Sequence, residues 1–196
     1  MIRGVAAIVG RPNVGKSTLF NRLLGERKSI VDDTPGVTRD RIYGDVEWLT
    51  QTFRLIDTGG IQLEDQDFGD EINMQVDIAI EEADVIIFLA SAREGVTADD
   101  LAIARKLRKA GKPVVLAVNK ADNEKLQMEV YDFYQLGLDD PITLSASHGI
   151  GIGDLLDRVM EKMPVRDLKP YEGVTSFCVI GRPNVGKSSL VNAILK

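Results

Sequence analysis

The sequence predicts an α/β fold: a mostly parallel sheet with one antiparallel edge strand and helices on both faces. Short apolar runs alternate with longer stretches of helical period, which is how covered parallel sheets read. One segment alternates and turns like a hairpin. A glycine-rich loop stands between an apolar run and a helical stretch, and it does so twice.

The apolar runs are VAAIV at 5 to 9, FRLID at 53 to 57, VIIFLA at 85 to 90, PVVLAVNK at 113 to 120 and PITLSAS at 141 to 147. DRIYGDVEWLTQTFRLID alternates and turns near Thr50 and Gln51, and this hairpin supplies the odd edge strand. TADDLAIARKLRKAG is a helix with Thr97 as cap, Leu101, Ala104 and Leu107 on one face, basic residues in the last turn and Gly111 as its stop. IGDLLDRVMEKM places Leu155, Leu156, Val159, Met160 and Met163 on one face, which reads as core.

With 196 residues, 44% of them hydrophobic, the chain can bury one large core or two small ones. Its longest apolar run, Val85 to Ala90, is far short of the roughly 20 residues that cross a bilayer. The start MIRGVAAIVG lacks a secretory apolar core, so a cytoplasmic protein without a membrane partner is expected. Cys178 is the one cysteine; in VTSFCVIG it reads as a buried thiol. A net charge of −6 argues against a nucleic-acid clamp, and no direct RNA binding is expected of this chain.

PVRDLKPYEG is charged and punctuated by proline, as linkers are, and after it VTSFCVIGRPNVGKSSLVNAILK repeats GVAAIVGRPNVGKSTLFNRLLG almost position for position. The reading is one complete unit at 1–165, a linker at 166–173, and at 174–196 the opening of a second unit, cut inside its first helix.

GRPNVGKS, at 10 to 17 and again at 181 to 188, fits the phosphate-loop pattern G-x-x-x-x-G-K-[ST]. A chain of this length matches the pattern by accident about once in a hundred cases, so two copies in equivalent settings are not chance. Gly10 and Gly15 let the backbone of Arg11, Pro12, Asn13 and Val14 wrap close to phosphates. Amides from Asn13 through Thr18 point inward at a helix N-terminus. Lys16 brings charge to the β and γ oxygens, and Ser17 offers a hydroxyl to Mg²⁺. Gly181, Asn184, Gly186, Lys187 and Ser188 are the counterparts in the second copy.

NKAD at 119 to 122 follows a strand at the end of the sheet where ligands sit. Asp122 can accept two hydrogen bonds side by side, matching N1–H and N2–H₂ of guanine; adenine has no such pair. Asn119 would donate to the base and steady the phosphate loop, Lys120 would lay its stem on the ring, and in Ser145, Ala146 and Ser147 the Ala146 amide would meet O6. Taken alone, NKAD also reads as a polar loop with a helix cap; its place after the phosphate loop gives it weight. DTGG ends another strand: Asp57 would hold Mg²⁺ through water, Thr58 and Gly59 would line the site, and the Gly60 amide would reach the γ-phosphate. In DTPGVTRDRIYG the hydroxyl that closes on Mg²⁺ is assigned to Thr38, with Thr34 competing.

With these motifs in order, the first 165 residues resemble the small GTPase fold, a P-loop NTPase G domain. Tandem GRPNVGKS units with TPGVTRD and DTGG resemble, more closely, the bacterial double-domain GTPases called Der or EngA. That resemblance implies GTP and GDP as ligands, GTP hydrolysis, and a role in assembling the large ribosomal subunit, the expected partner in the cell. It also implies that the place after the DxxG glycine, a water-orienting glutamine in signalling GTPases, is filled by an apolar residue, here Ile61. An asparagine at the place of Asn13 helps related GTPases hold K⁺ between the phosphates; a loop-steadying amide is the other reading of Asn13.

Arg39 and Arg41 are read as solvated rather than as arginine fingers, LEDQDFGDE at 63–71 as a solvated, mobile tract, and His148 as a surface residue. The rival readings are a G domain regulating a membrane transporter or an RNA-modifying enzyme, an ATP-using kinase or motor, and a module in which nucleotide is only structural.

Overall fold

The computed structural model describes residues 2–25, 30–31, 42–58 and 68–164. They belong to a compact unit, Met1–Arg166. In chain order the elements are β1 Ile2–Val9, α1 Lys16–Leu24, β2 Ile30–Val31, β3 Ile42–Trp48, β4 Gln51–Asp57, α2 Phe68–Glu82, β5 Val85–Ser91, α3 Ala98–Ala110, β6 Val114–Asn119, α4 Glu124–Met128, a 3₁₀ helix Glu129–Leu136, β7 Ile142–Thr143 and α5 Ile152–Lys162.

The sheet runs β2-β3-β4-β1-β5-β6-β7. β1 is parallel to β4 and β5, and β6 is parallel to β5 and β7, while β3 runs against both of its neighbours. The antiparallel strand therefore lies at the predicted edge, with only two residues of β2 beyond it. The hairpin turns at Leu49 and Thr50, and Trp48 pairs with Gln51.

Every residue of β5 and β6 is buried, which is why these runs read as continuously apolar. Alternation sends Val85, Ile87 and Leu89 into one core, with Leu19 and Phe20 of α1 and Leu155 and Val159 of α5. Ile86, Phe88 and Ala90 enter the other, with Val76 and Ala79 of α2 and Ile103 and Leu107 of α3.

α3 begins and ends as the sequence requires. The Thr97 hydroxyl accepts from the Asp100 amide, the Asp100 carboxylate accepts from the Thr97 amide, and Gly111 closes the helix in the left-handed region.

Three segments add to or change the sequence reading. Only Ile142–Thr143 of PITLSAS is strand; Ser145 instead bridges Ile150, closing a loop on itself. Phe68 to Glu71, the end of the tract read as solvated and mobile, is the first turn of α2, whose later residues Val76 and Ala79 are buried. The sequence after Asn123, for which no element was expected or excluded, is α4 and then a 3₁₀ helix that buries Val130, Phe133 and Leu136 at a spacing of three. A search for period 3.6 passes over that spacing.

Because these connections cross the sheet, the carboxyl ends of β1, β4, β5 and β6 open on one edge. From β1 the sheet grows one way through β4 and the other way through β5, and ligands bind at such reversals.

Candidate nucleotide-binding site

The loop after β1 is shaped by backbone. Gly10 has φ 156°, and a Cβ there would lie 2.2 Å from the Leu89 carbonyl oxygen. Gly15, at φ 100°, leads into α1 without any side-chain cap on the helix. Asn13 also adopts positive φ, at 63°. The amides at the start of α1 thus face the loop, which suits an anion. Lys16 is 8% exposed, and its Nζ donates to Gly10 O at 2.7 Å and Arg11 O at 2.9 Å. The ammonium is thereby held over the loop. Ser17 and Thr18 are exposed and, with Asn21, Arg22, Gly25 and Ala146, line a cleft of about 560 Å³, a size typical of small-molecule sites.

Asn119 ties this loop to two other segments. Its Nδ2 donates to Val14 O at 2.8 Å, and its Oδ1 accepts from the Ala146 amide at 2.9 Å. A Cβ on Gly15 would lie 2.4 Å from that Nδ2, so the glycine is required both for its φ and for this approach. The expected steadying of the phosphate loop by Asn119 is thus present. The Ala146 amide is engaged as well, so a purine O6 would share its donor. Lys120, at φ 62°, donates from Nζ to Asn13 O at 2.5 Å, which lays its stem from the end of β6 across to the loop.

Asp122 accepts from Ser145 Oγ at 2.7 Å on Oδ1, and Arg93 pairs with Oδ2. The Ser145 hydroxyl first, and then Arg93, hold this carboxyl below the ordinary carboxylate range, so it is an ionised double acceptor at neutral pH. His148, expected at the surface, is exposed, yet its Nε2 lies 4.0 Å from Asp122 Oδ1.

At the end of β4, Asp57 is 2% exposed and in register with Ile8. The buried hydroxyl of Thr58 donates to Ile8 O at 2.6 Å, fastening β4 to β1. Arg11 is tied as well. Its Nε meets Asp100 at 2.9 Å and its Nη1 meets Glu94 at 2.9 Å, so its side chain joins the phosphate loop to α3 rather than serving a ligand. Sequence reasoning missed Arg93, Glu94 and Asp100 in these roles. Only the T-x-x-D capping pattern pointed to Asp100, and it says nothing of the carboxylate's second oxygen. Thr34, Thr38, Arg39, Arg41, Gly59, Gly60 and Ile61, together with Gly181, Asn184, Gly186, Lys187 and Ser188 of the second copy, lie outside the described residues.

The model of the family described as 50S ribosome-binding GTPase matches residues 5–120 and 176–196. GTPase Der of Staphylococcus saprophyticus is 59% identical over 196 residues, which is 100% of this chain and 45% of that protein. The chain thus spans less than half the length of such curated relatives. An Era variant of Aquifex aeolicus bound to GDP·AlF₄⁻ superposes with a TM-score of 0.69 at 30% identity, covering 91% of this chain and 63% of that one. Era in complex with MgGDPNP and a segment of 16S ribosomal RNA gives 0.67 at 30% identity, covering 91% and 60%. With phosphate loop, NKAD and SAS gathered around Asn119 and a family match over most of its length, the chain belongs to the 50S ribosome-binding GTPases, among the Der/EngA proteins.

Proposed function

We propose that this chain binds guanine nucleotide at the carboxyl ends of its strands, hydrolyses GTP to GDP and phosphate, and acts as a switch in assembly of the large ribosomal subunit. The observation that carries the nucleotide reading is Asn119, whose bonds to Val14 and Ala146 bring phosphate loop and base-reading loop to one place. The ribosomal part is supported by the family's description and by the likeness to Der.

In this reading the loop amides and Lys16 hold the phosphates while Asp122 accepts the guanine N1 and N2 protons. A fit for Mg²⁺ is supported by the donor set: an exposed hydroxyl on Ser17 and a buried carboxylate on Asp57 suit an ion that keeps its waters and leans on substrate phosphates. Mg²⁺, when bound, would neutralise charge between the β and γ oxygens. Thr38 would close on the γ-phosphate with its hydroxyl, and Gly60 with its amide. Gly59 and Ile61 would line that end. Ile61 has no polar group to orient water, so partner-free turnover is expected to be slow, on the order of 10⁻⁴ to 10⁻² per second. Asn13 is offered as a K⁺ ligand; equal turnover in Na⁺ and K⁺ would remove that part. The second loop, through Gly181, Asn184, Gly186, Lys187 and Ser188, is proposed to open a second G domain.

Titration calorimetry with Mg²⁺ tests the core of the reading: GDP and GTP should bind and ADP and ATP should not. Equal affinities, or no binding, would end it. Co-sedimentation of the full-length protein with large ribosomal subunits should differ between GTP and GDP; indifference would reject the switch.

A further inference from the structure

Arg22 lies in the last turn of α1, beyond the turn expected to meet phosphates. Its guanidinium crosses to the loop after β7, where Nε donates to Ala146 O at 2.9 Å and Nη2 to Ser147 O at 2.6 Å. Two bonds from one planar fork fix direction as well as distance.

The loop they grip is otherwise closed mainly on itself: the Ser145 amide donates to Ile150 O at 3.0 Å and the Gly149 amide to Ser145 O at 2.8 Å. Those bonds shape the loop but do not aim it. Its aim comes from outside, with the Ser145 hydroxyl on Asp122 Oδ1, Asn119 Oδ1 on the Ala146 N–H, and Arg22 on the Ala146 and Ser147 carbonyls. Ala146 is fully buried, so its amide has little freedom once both sides are held.

We propose that Arg22 is a positioning residue for base selection: it holds the Ala146 amide in line with the O6 of a bound guanine. The inference rests on the guanine reading above. It also makes α1 a shared support, with its N-terminus at the phosphates and its last turn holding the loop that reads the base.

The test compares GDP with 6-thio-GDP, which keeps the N1 and N2 donors for Asp122 but carries sulfur, a weak acceptor, in place of O6. Arg22→Ala should weaken GDP binding about tenfold, the loss expected when charge-assisted bonds go. It should weaken 6-thio-GDP binding less than twofold. Arg22→Gln, which keeps donors without charge, should recover part of the GDP affinity, and it serves as the measured variant if Arg22→Ala does not fold. Equal losses for both nucleotides would mean that Arg22 only supports the fold, and no loss would mean that it has no role; either overturns the proposal. If the unaltered protein binds GDP no more tightly than ADP, the guanine reading itself fails, and this proposal fails with it.

Discussion

At the proposed phosphate end of the site the chain offers backbone: two glycines and Asn13 at positive φ, helix amides, and one lysine folded over the loop. At the proposed base end it offers side chains drawn from separate segments: Asn119, Asp122, Ser145 and, from α1, Arg22. Backbone recognition needs a particular local conformation, so its residues must be contiguous. Side-chain recognition needs only that distant segments meet, so its residues are scattered. The phosphate end should therefore be broken by changes of conformation or charge within one loop, and the base end by changes of donor or acceptor anywhere around it.

The largest effect is expected at the base end. Asp122→Asn exchanges an acceptor pair for an acceptor and a donor, so preference should move from GTP toward xanthosine triphosphate, which carries a carbonyl where guanine has its amine. The shift in relative affinity should be roughly 10⁴-fold by competition binding, and an unchanged ratio would show that Asp122 does not read the base. Next comes Lys16→Ala, which should lower the affinity for GTP on the order of a hundredfold or more, with the melting temperature close to that of the parent. Unchanged GTP affinity would refute the phosphate assignment.

Gly15→Ala probes the seam between the two ends. Its Cβ would press on Asn119 Nδ2 while its φ strains the loop, so it should destabilise the fold by about 1–3 kcal/mol and weaken nucleotide binding as well. A stable variant that binds normally would show that the two ends are not coupled there. The smallest effect belongs to Thr97→Ala, which removes a helix cap outside both ends and should lower stability by about 1 kcal/mol. A selective loss of guanine over adenine nucleotides in this variant would blur the comparison.

The same contrast explains what could be read from the sequence. The alternating order, the antiparallel edge, both ends of α3 and the whole first phosphate loop were legible, because each is written in neighbouring residues. NKAD and SAS were legible as fragments, and only their order gave them meaning. The ties of Arg11 to Asp100, Arg93 to Asp122 and Arg22 to Ala146 span tens of residues or more and follow no periodic pattern. Nothing local announces them. Thr58 adds a tie of the same kind, since nothing in the DTGG motif announces that its hydroxyl is bonded to Ile8 O. The 3₁₀ helix escaped because its buried stripe repeats every three residues.

The hydrogen bonds of Asn119 to Val14 and Ala146 join protein groups. The entropy of bringing its three segments together is therefore lost when the chain folds, not when a small molecule arrives. Association then requires little rearrangement of that junction, and substitutions that loosen it should surface first as faster dissociation.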